Sequence, residues 1–305
     1  MTHLIDRIGN TPLLRLEHIS HMVGANVFLK YEACNPFGSA LDRTARGYLK
    51  QAAERGEIGP GGCVVEASSG NLAISLAHLC AAMGLSLFIV MPEPEDDSIP
   101  HLLRLLGAEV KLTPTRGGMA GAQKLAEYLH TDIWGSFQPN QFYNQEGPRI
   151  HYETTGAEIV RQCTEMKFQP DLFISGVGSG ATLSGVGRRL RESRHPISVA
   201  AVEPAESPVL SGGRAAPHTL RGIGAGFVPS VLDRSLAAHV VPVCAEDAVR
   251  ACRRLLGKEG LTCGLTTGAN LHAALQLAGR REYRGKNIVI MGHDSMERHL
   301  AAFRA

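Results

Sequence analysis

The sequence predicts an α/β fold whose two domains are built on parallel sheets. Short β-type apolar runs alternate with amphipathic helical stretches along the whole chain, which is the pattern of βαβ units. The length of 305 residues favours two domains, at roughly 150 residues each. A hydrophobic content of 44% supplies the side chains for a sizeable core.

Each strand is predicted from a short run of apolar and β-branched residues, and each helix from an apolar period near 3.6. The predicted strands are 27–31, 63–66, 85–91, 109–112, 172–175, 199–202, 240–243 and 288–291. The predicted helices are 42–55, 71–83, 98–106, 117–129, 155–164, 182–191, 246–259 and 269–279. Four of the predicted helices are followed by a glycine that ends them: Gly56, Gly84, Gly107 and Gly260.

Two irregular stretches interrupt this alternation. Residues 135–148 hold Gln, Asn, Pro and Gly with little periodicity, which predicts a seam between an N-terminal α/β domain, 1–145, and a C-terminal α/β domain, 146–305. Residues about 13–34 are expected to cross into the other domain. The second stretch, 204–229, is rich in Gly, Ser and Pro, and long loops in compact domains are often functional.

Charge and composition exclude several classes of protein. A net charge of +2 gives no field for drawing in nucleic acid. The longest apolar runs are too short for a membrane span, and the first residues do not resemble a signal peptide, so we expect a cytoplasmic protein. Seven scattered cysteines without a CxxC pair indicate reduced thiols and no zinc site.

The segment Gly176-Val-Gly-Ser-Gly-Ala-Thr182 follows a predicted strand and opens a predicted helix. Backbone amides and a positive helix end meet there, which suits a phosphate group, although a tight turn without a ligand has the same pattern. The spacing also fits a dinucleotide fingerprint, with Glu203 placed where a ribose-binding acid belongs. Local pattern alone leaves NAD open.

A second hydroxyl-rich turn lies at 67–73, where Ser68, Ser69 and Asn71 could bind an anion such as a substrate carboxylate. A cluster of helix caps explains the same residues equally well. The turn 264–268 is similar but uninformative on its own. The spacing of His293 and His299 does not place them on one helix face for a metal.

Taken together, these segments resemble the cysteine synthase and cystathionine β-synthase family of pyridoxal-phosphate (PLP) proteins, which have fold type II. The resemblance covers essentially the whole chain, and its last third is most similar to O-acetylserine sulfhydrylases. The motifs that carry it are residues 8–13 (IGNTPL), 35–39 (NPFGS), 69–71 (SGN), 141–142 (QF), 154–156 (TTG), 176–182, 202–204 (VEP), 207–213 (SPVLSGG), 222–226 (GIGAG) and 294–295 (DS). The family's own phosphate loop explains the apparent dinucleotide fingerprint.

The resemblance implies PLP chemistry on an amino acid: β-replacement on O-acetylserine to give cysteine. It assigns the substrate carboxylate to Ser68, Ser69 and Gln141. The cofactor would be bound by Asn71 at its phenolic oxygen, Thr266 at its pyridine nitrogen, and, at its phosphate, by Gly176, Gly178, Ser179, Gly180 and Thr182.

The family's Schiff-base lysine is missing. The family pattern of Ser, an aliphatic residue, Lys, Asp and Arg reads Ser39-Ala-Leu-Asp-Arg43, so Leu41 stands at the lysine position. Leucine can form no imine and move no proton. Leu72 also replaces a hydroxyl of the substrate loop, and Ala181 replaces a glycine of the phosphate loop. Near the C terminus, the family's Leu-Pro-Asp-Ser-Gly-Glu-Arg reads Met291-Gly-His-Asp-Ser-Met-Glu-Arg298.

These departures predict a cysteine synthase-like pseudoenzyme without a catalytic residue at position 41, which binds a small amino-acid or phosphate ligand or a protein partner. PLP remains possible but would be non-covalent, and no metal is expected. The resemblance implies a homodimer and, as a candidate partner, the C-terminal tail of serine acetyltransferase. The alternative is a diverged enzyme of amino-acid metabolism, with β-replacement or a related lyase or transferase reaction.

Overall fold

Two sheets organise the fold in the computed structural model, which describes residues 4–193 and 195–303. The larger sheet has the strand order β1-β2-β9-β6-β7-β8. Its strands are β1 (Leu13–Arg15), β2 (Asn26–Tyr31), β6 (Leu172–Gly176), β7 (Ser198–Pro204), β8 (His239–Val243) and β9 (Asn287–Gly292). All neighbours are parallel except β1 and β2.

The smaller sheet is parallel throughout and has the order β3-β4-β5. Its strands are β3 (Cys63–Ala67), β4 (Ser86–Pro92) and β5 (Glu109–Thr113). Val64 adds an isolated parallel bridge to Phe137. The sheet is therefore extended at one edge by a residue from the region that the sequence marks as a seam.

Helices supply the crossover connections that parallel strands require. They are α1 (Glu17–Val23), α2 (Leu41–Glu54), α3 (Asn71–Met83), α4 (Ser98–Leu105), α5 (Gly118–Asp132), α6 (Glu146–His151), α7 (Ala157–Glu165), α8 (Ala181–Arg191), α9 (Ala245–Glu259) and α10 (Leu265–Ala278). A π-helical turn, Tyr152–Gly156, joins α6 to α7. None of the described helices is long and apolar enough to cross a membrane.

The predicted α/β class is confirmed, and all eight predicted strands are present with ends that differ by at most two residues. Three short elements are missing from the prediction. The strand β1 has three residues and the helix α1 has seven, which is too short for a clear period. The helix α6 begins inside the stretch read as a loop, because Gly147 and Pro148 lie within its first turn.

Apolar residues cover both faces of the large sheet, as expected for buried parallel strands. The helix α10 packs on one face and α8 on the other. The carboxyl ends of β3, β6 and β9 are followed by residues 68–71, 177–182 and 293–298. In open α/β sheets, ligands bind at these ends, so these three loops are the candidate site.

Candidate functional site

The glycine loop, residues 176–182, joins β6 to α8 and presents free donors. Among the described residues, the backbone amides of Gly178, Ser179, Gly180 and Thr182 donate to no acceptor. The positive end of α8, which begins at Ala181, lies at the same place. Unpaired amides at a helix N-terminus form an anion site, so this end of the site suits a phosphate group.

Close packing explains why the loop needs glycine. A Cβ on Gly178 would lie 2.5 Å from the carbonyl oxygen of Gly222. Gly180 has φ +87°, and its Cβ would lie 2.8 Å from the Cβ of Leu232. The loop is thus pressed against the irregular 204–229 stretch and the residues after it, which keeps its amides in place.

His151 contacts the glycine loop through Thr182, and no motif in the sequence indicated this role. Its Nε2 lies 3.3 Å from Thr182 Oγ1 and 3.0 Å from Thr44 Oγ1, and its Nδ1 lies 2.9 Å from Thr155 Oγ1. Burial, together with the nearby Arg43 charge, lowers the pKa of His151 to about 3. A neutral imidazole therefore connects the glycine loop to α2 three residues after Leu41.

The proposed carboxylate-binding residues are Ser68 and Ser69, in the loop that follows β3, and Gln141. Ser68 is buried and its Oγ accepts from the amide of Ala73 at 3.2 Å, whereas Ser69 is exposed. Gln141 is buried and its Nε2 donates to the Ala67 carbonyl at 2.8 Å. Ser68 thus acts partly as a helix cap, and Gln141 is attached to the end of β3.

Glu66 holds the Gln141 segment in position. It is 1% exposed and accepts from the amide of Asn140 at 2.6 Å. Burial raises the pKa of Glu66 to about 8, against the effect of the hydrogen bonds it accepts from Asn140 and Gln141. The sequence offered one signal for it, an acidic residue inside an otherwise apolar strand.

Leu41 is the first residue of α2. Its amide donates to Ser39 Oγ at 3.2 Å, and its side chain packs against an apolar cluster. Leu72 belongs to the same cluster and is 2% exposed. Leu41 and Leu72 therefore share one apolar environment, and Leu72 is a core residue.

No other lysine occupies this place in the described part of the chain. Of the seven lysines in the sequence, only Lys30 is buried. Its Nζ donates to the Thr11 carbonyl and to Glu158 Oε2, both at 2.7 Å, and to Gln162 Oε1 at 2.9 Å. This ammonium group is fully engaged in a structural ion cluster.

Asn71 and Asp294 form a network with the C-terminal segment. The Asn71 amide Nδ2 donates to Asp294 Oδ2 at 2.7 Å. Asn71 Oδ1 accepts from Arg298, which also donates to the Phe37 carbonyl. His299 Nε2 donates to the same Asp294 oxygen at 2.8 Å. The side chain of Asn71 is thus paired at both ends by protein groups.

Two further sequence-predicted residues are also engaged. Thr266 is buried, and its hydroxyl donates to the Arg221 carbonyl at 3.1 Å. Glu203 accepts from the amides of Leu210 at 2.6 Å and Ser211 at 3.0 Å, and from the Ser211 hydroxyl at 2.6 Å. Glu203 therefore fixes the irregular stretch and offers no free carboxylate to a ribose, which argues against NAD.

Comparison with known protein families assigns the class. The pyridoxal-phosphate-dependent enzyme family matches residues 4–294, so the chain belongs to that family. The chain is 40% identical over 294 residues to cysteine synthase of Staphylococcus aureus strain N315, covering 96% of this chain and 94% of the relative. It is therefore a cysteine synthase-like member.

Solved structures agree with this assignment. O-acetylserine sulfhydrylase isoform 3 from Entamoeba histolytica superposes with a TM-score of 0.91 at 33% identity, covering 100% of this chain and 92% of that one. A lysine-to-alanine mutant of O-ureido-L-serine synthase with bound O-ureido-L-serine superposes with a TM-score of 0.94 at 34% identity, covering 99% and 93%. The fold-type II assignment is confirmed.

The residues present fit PLP at one end only. The free amides of the glycine loop suit the phosphate group of the cofactor. At the other end, Leu41 supplies no amine, and the polar groups of Asn71 and Thr266 are paired within the protein. PLP in this site would thus be non-covalent and bound through its phosphate. No cluster of three or more metal-ligating side chains occurs among the described residues.

Proposed function

We propose that this chain is a cysteine synthase-like pseudoenzyme that binds a small anionic or amino-acid ligand without turning it over. The observation that carries the proposal is Leu41 at the start of α2, where the family resemblance places the Schiff-base lysine. Lys30, the one buried lysine in the described part of the chain, has its amine bonded to three protein oxygens. Imine formation and proton transfer at this point of the site therefore lack a donor.

The retained parts of the site support ligand binding. The glycine loop presents free amides for a phosphate, and Ser69 in the 68–71 loop is exposed for a carboxylate. A relative in which a lysine has been replaced by alanine is described with O-ureido-L-serine bound. By analogy, we propose that an amino acid of this size can enter the site of this chain in the absence of an amine.

The proposal extends to the cellular setting. We infer a cytoplasmic homodimer from the family resemblance, and the C-terminal tail of serine acetyltransferase as the candidate protein partner. A net charge of +2 gives no field for drawing in nucleic acid, so the proposal includes no nucleic-acid partner. The following assay distinguishes the pseudoenzyme from the alternative, a diverged enzyme of amino-acid metabolism.

The test is a cysteine-formation assay with O-acetylserine, sulfide and added PLP, using protein free of host enzymes. A Staphylococcus aureus cysteine synthase run in parallel provides the positive control. We expect no cysteine formation above the protein-free rate. A rate comparable with that of the control would refute the pseudoenzyme and establish the alternative. Native mass spectra of the same sample would show whether a ligand is bound.

A further inference from the structure

His293 directly follows β9, and its backbone is fixed between two parts of the candidate site. Its carbonyl accepts from the amide of Ala40 at 2.9 Å, and its amide donates to Thr267 Oγ1 at 3.0 Å. Ala40 precedes Leu41, and Thr267 follows Thr266, which the family resemblance assigns to the pyridine nitrogen. His293 therefore lies between the position of the missing lysine and the start of α10.

The family pattern has no titratable side chain at this position. Counted back from Arg298, the family's Leu-Pro-Asp-Ser-Gly-Glu-Arg places proline where this chain has His293. Proline has no amide hydrogen and no polar side chain, so the hydrogen bond to Thr267 and the imidazole both belong to this chain and not to that pattern. The site thus has an imidazole beside the position at which it lacks an amine.

One nitrogen of the His293 ring is bound and the other is free. Nε2 lies 3.3 Å from Ser175 Oγ, and only two residues separate Ser175 from Gly178, the first residue of the glycine loop with a free amide. Nδ1 has no hydrogen-bond partner among the described residues. Asp294 Oδ1 and His299 Nδ1 are also unpaired but are sealed from solvent, whereas Nδ1 of His293 is not. With 7% of its surface exposed, His293 can contact a small ligand.

Three titratable groups of the described residues act on the ring. Burial lowers the pKa of His293, whereas Asp294 on the same segment and Glu32 after β2 act in the opposite direction. The third group, His151 on α6, is neutral because its own pKa is lowered to about 3. His293 is therefore neutral in the free protein at neutral pH. A negative charge brought to the glycine loop would favour its imidazolium form, because opposite charges stabilise each other.

We propose that His293 is a ligand-binding residue for a compact oxyanion, such as a phosphate or sulfate group. When the oxyanion occupies the free amides of the glycine loop, the ring takes up one proton from solvent, donates through Nδ1 to the oxyanion and donates through Nε2 to Ser175 Oγ. The proton leaves again when the oxyanion dissociates. The inference rests on the proposed function, because this oxyanion is the anionic ligand of that proposal.

The experiment measures the affinity for sulfate by calorimetric titration at about pH 8 and about pH 6, on the two sides of the ordinary histidine pKa. Sulfate stays a dianion across this range, so every proton taken up on binding belongs to the protein. The variant His293→Gln keeps a hydrogen-bonding side chain that cannot gain a charge. The exposed His21→Gln is the matched control, and Gly178→Ala tests whether sulfate binds at the glycine loop.

We expect the wild type and His21→Gln to bind sulfate at least about fivefold more tightly at the lower pH, because the bound form holds a proton that the free form lacks. For His293→Gln the two affinities should agree within about twofold, and Gly178→Ala should bind no sulfate. A wild-type affinity that does not change with pH, an equal change in His293→Gln, or no sulfate binding by the wild type would overturn the inference. Sulfate binding by Gly178→Ala would overturn it too, since the oxyanion would then lie elsewhere.

A measurement on the wild type covers the case in which His293→Gln does not fold. Deuterium exchange at the imidazole C2 position, read by mass spectrometry of tryptic peptides, titrates individual histidines, and the peptide 287–298 contains His293 and no other histidine. Saturating sulfate should raise the midpoint of this titration by at least about one pH unit. An unchanged or lowered midpoint would overturn the inference and leave the proposed function standing. Cysteine formation by the wild-type chain would refute the proposed function and leave this titration unaffected.

Discussion

The imidazole of His151 lies 3.3 Å from the hydroxyl of Thr182 and so connects the glycine loop to the body of the protein. The same Nε2 is 3.0 Å from Thr44 Oγ1 on α2. This buried contact makes the position of the glycine loop depend on a histidine that is neutral in the folded state.

Acidification should destabilise the protein through His151. Its folded pKa is lowered to about 3, so between that value and the unfolded value of about 6.5 the unfolded chain binds the proton that the folded chain does not. Stability is present above the unfolded pKa and is lost as the pH falls through this window. Between pH 7 and 4.5 the loss should be about 2–3 kcal/mol from this residue.

Urea unfolding of wild type and His151→Gln at these two pH values measures the effect. The variant should be less stable at neutral pH but lose about 2 kcal/mol less on acidification. The exposed His21→Gln is the matched control and should follow the wild type. An equal acid-induced loss in His151→Gln and wild type would show that His151 is not the group responsible.

Gly178→Ala should abolish phosphate binding by the glycine loop. Its Cβ would lie 2.5 Å from the Gly222 carbonyl oxygen, so the loop must shift and its amides lose their common direction. Thermal unfolding should show a rise in Tm with inorganic phosphate for wild type and none for the variant. Gly257→Ala, where the new Cβ has open space, should keep the wild-type response. A normal response in Gly178→Ala would mean that phosphate binds elsewhere.

Leu41→Lys should restore an amine at the start of α2 and give a visible imine absorbance with added PLP. We expect weak cysteine formation at best, because Leu72 lies in the core where the family pattern has a hydroxyl, and Asn71 remains paired with Asp294 and Arg298. Leu41→Met has a side chain of similar size without an amine and should show no imine band. Absence of the band in Leu41→Lys would mean that position 41 does not face a bound ring.

The strands and most helices could be predicted because each carries its own hydrophobic period. The glycine loop and the 68–71 loop were also predictable, since both follow a strand and open a helix. The short elements β1, α1 and α6 were not, because seven residues or fewer give too little periodicity. Packing against the larger sheet and against α8 decides their conformation.

The sequence could not predict which side chains of the site form hydrogen bonds with one another. Arg298 and Asn71 are separated by 227 positions, and Asp294 and Asn71 by 223. No local pattern indicates that these side chains satisfy one another. The sequence therefore identified Asn71 and Thr266 as candidate cofactor residues, whereas their observed partners are protein groups. The cofactor roles of these residues remain predictions.

Borohydride reduction of the purified wild-type protein in the presence of PLP, followed by peptide mass mapping, tests the central claim most directly. Reduction converts any imine between PLP and a lysine into a stable pyridoxyl-lysine. Since Leu41 carries no amine and Lys30 is bonded to Thr11, Glu158 and Gln162, we predict only trace, scattered labelling of exposed lysines. A stoichiometric pyridoxyl group on one specific lysine would contradict the account.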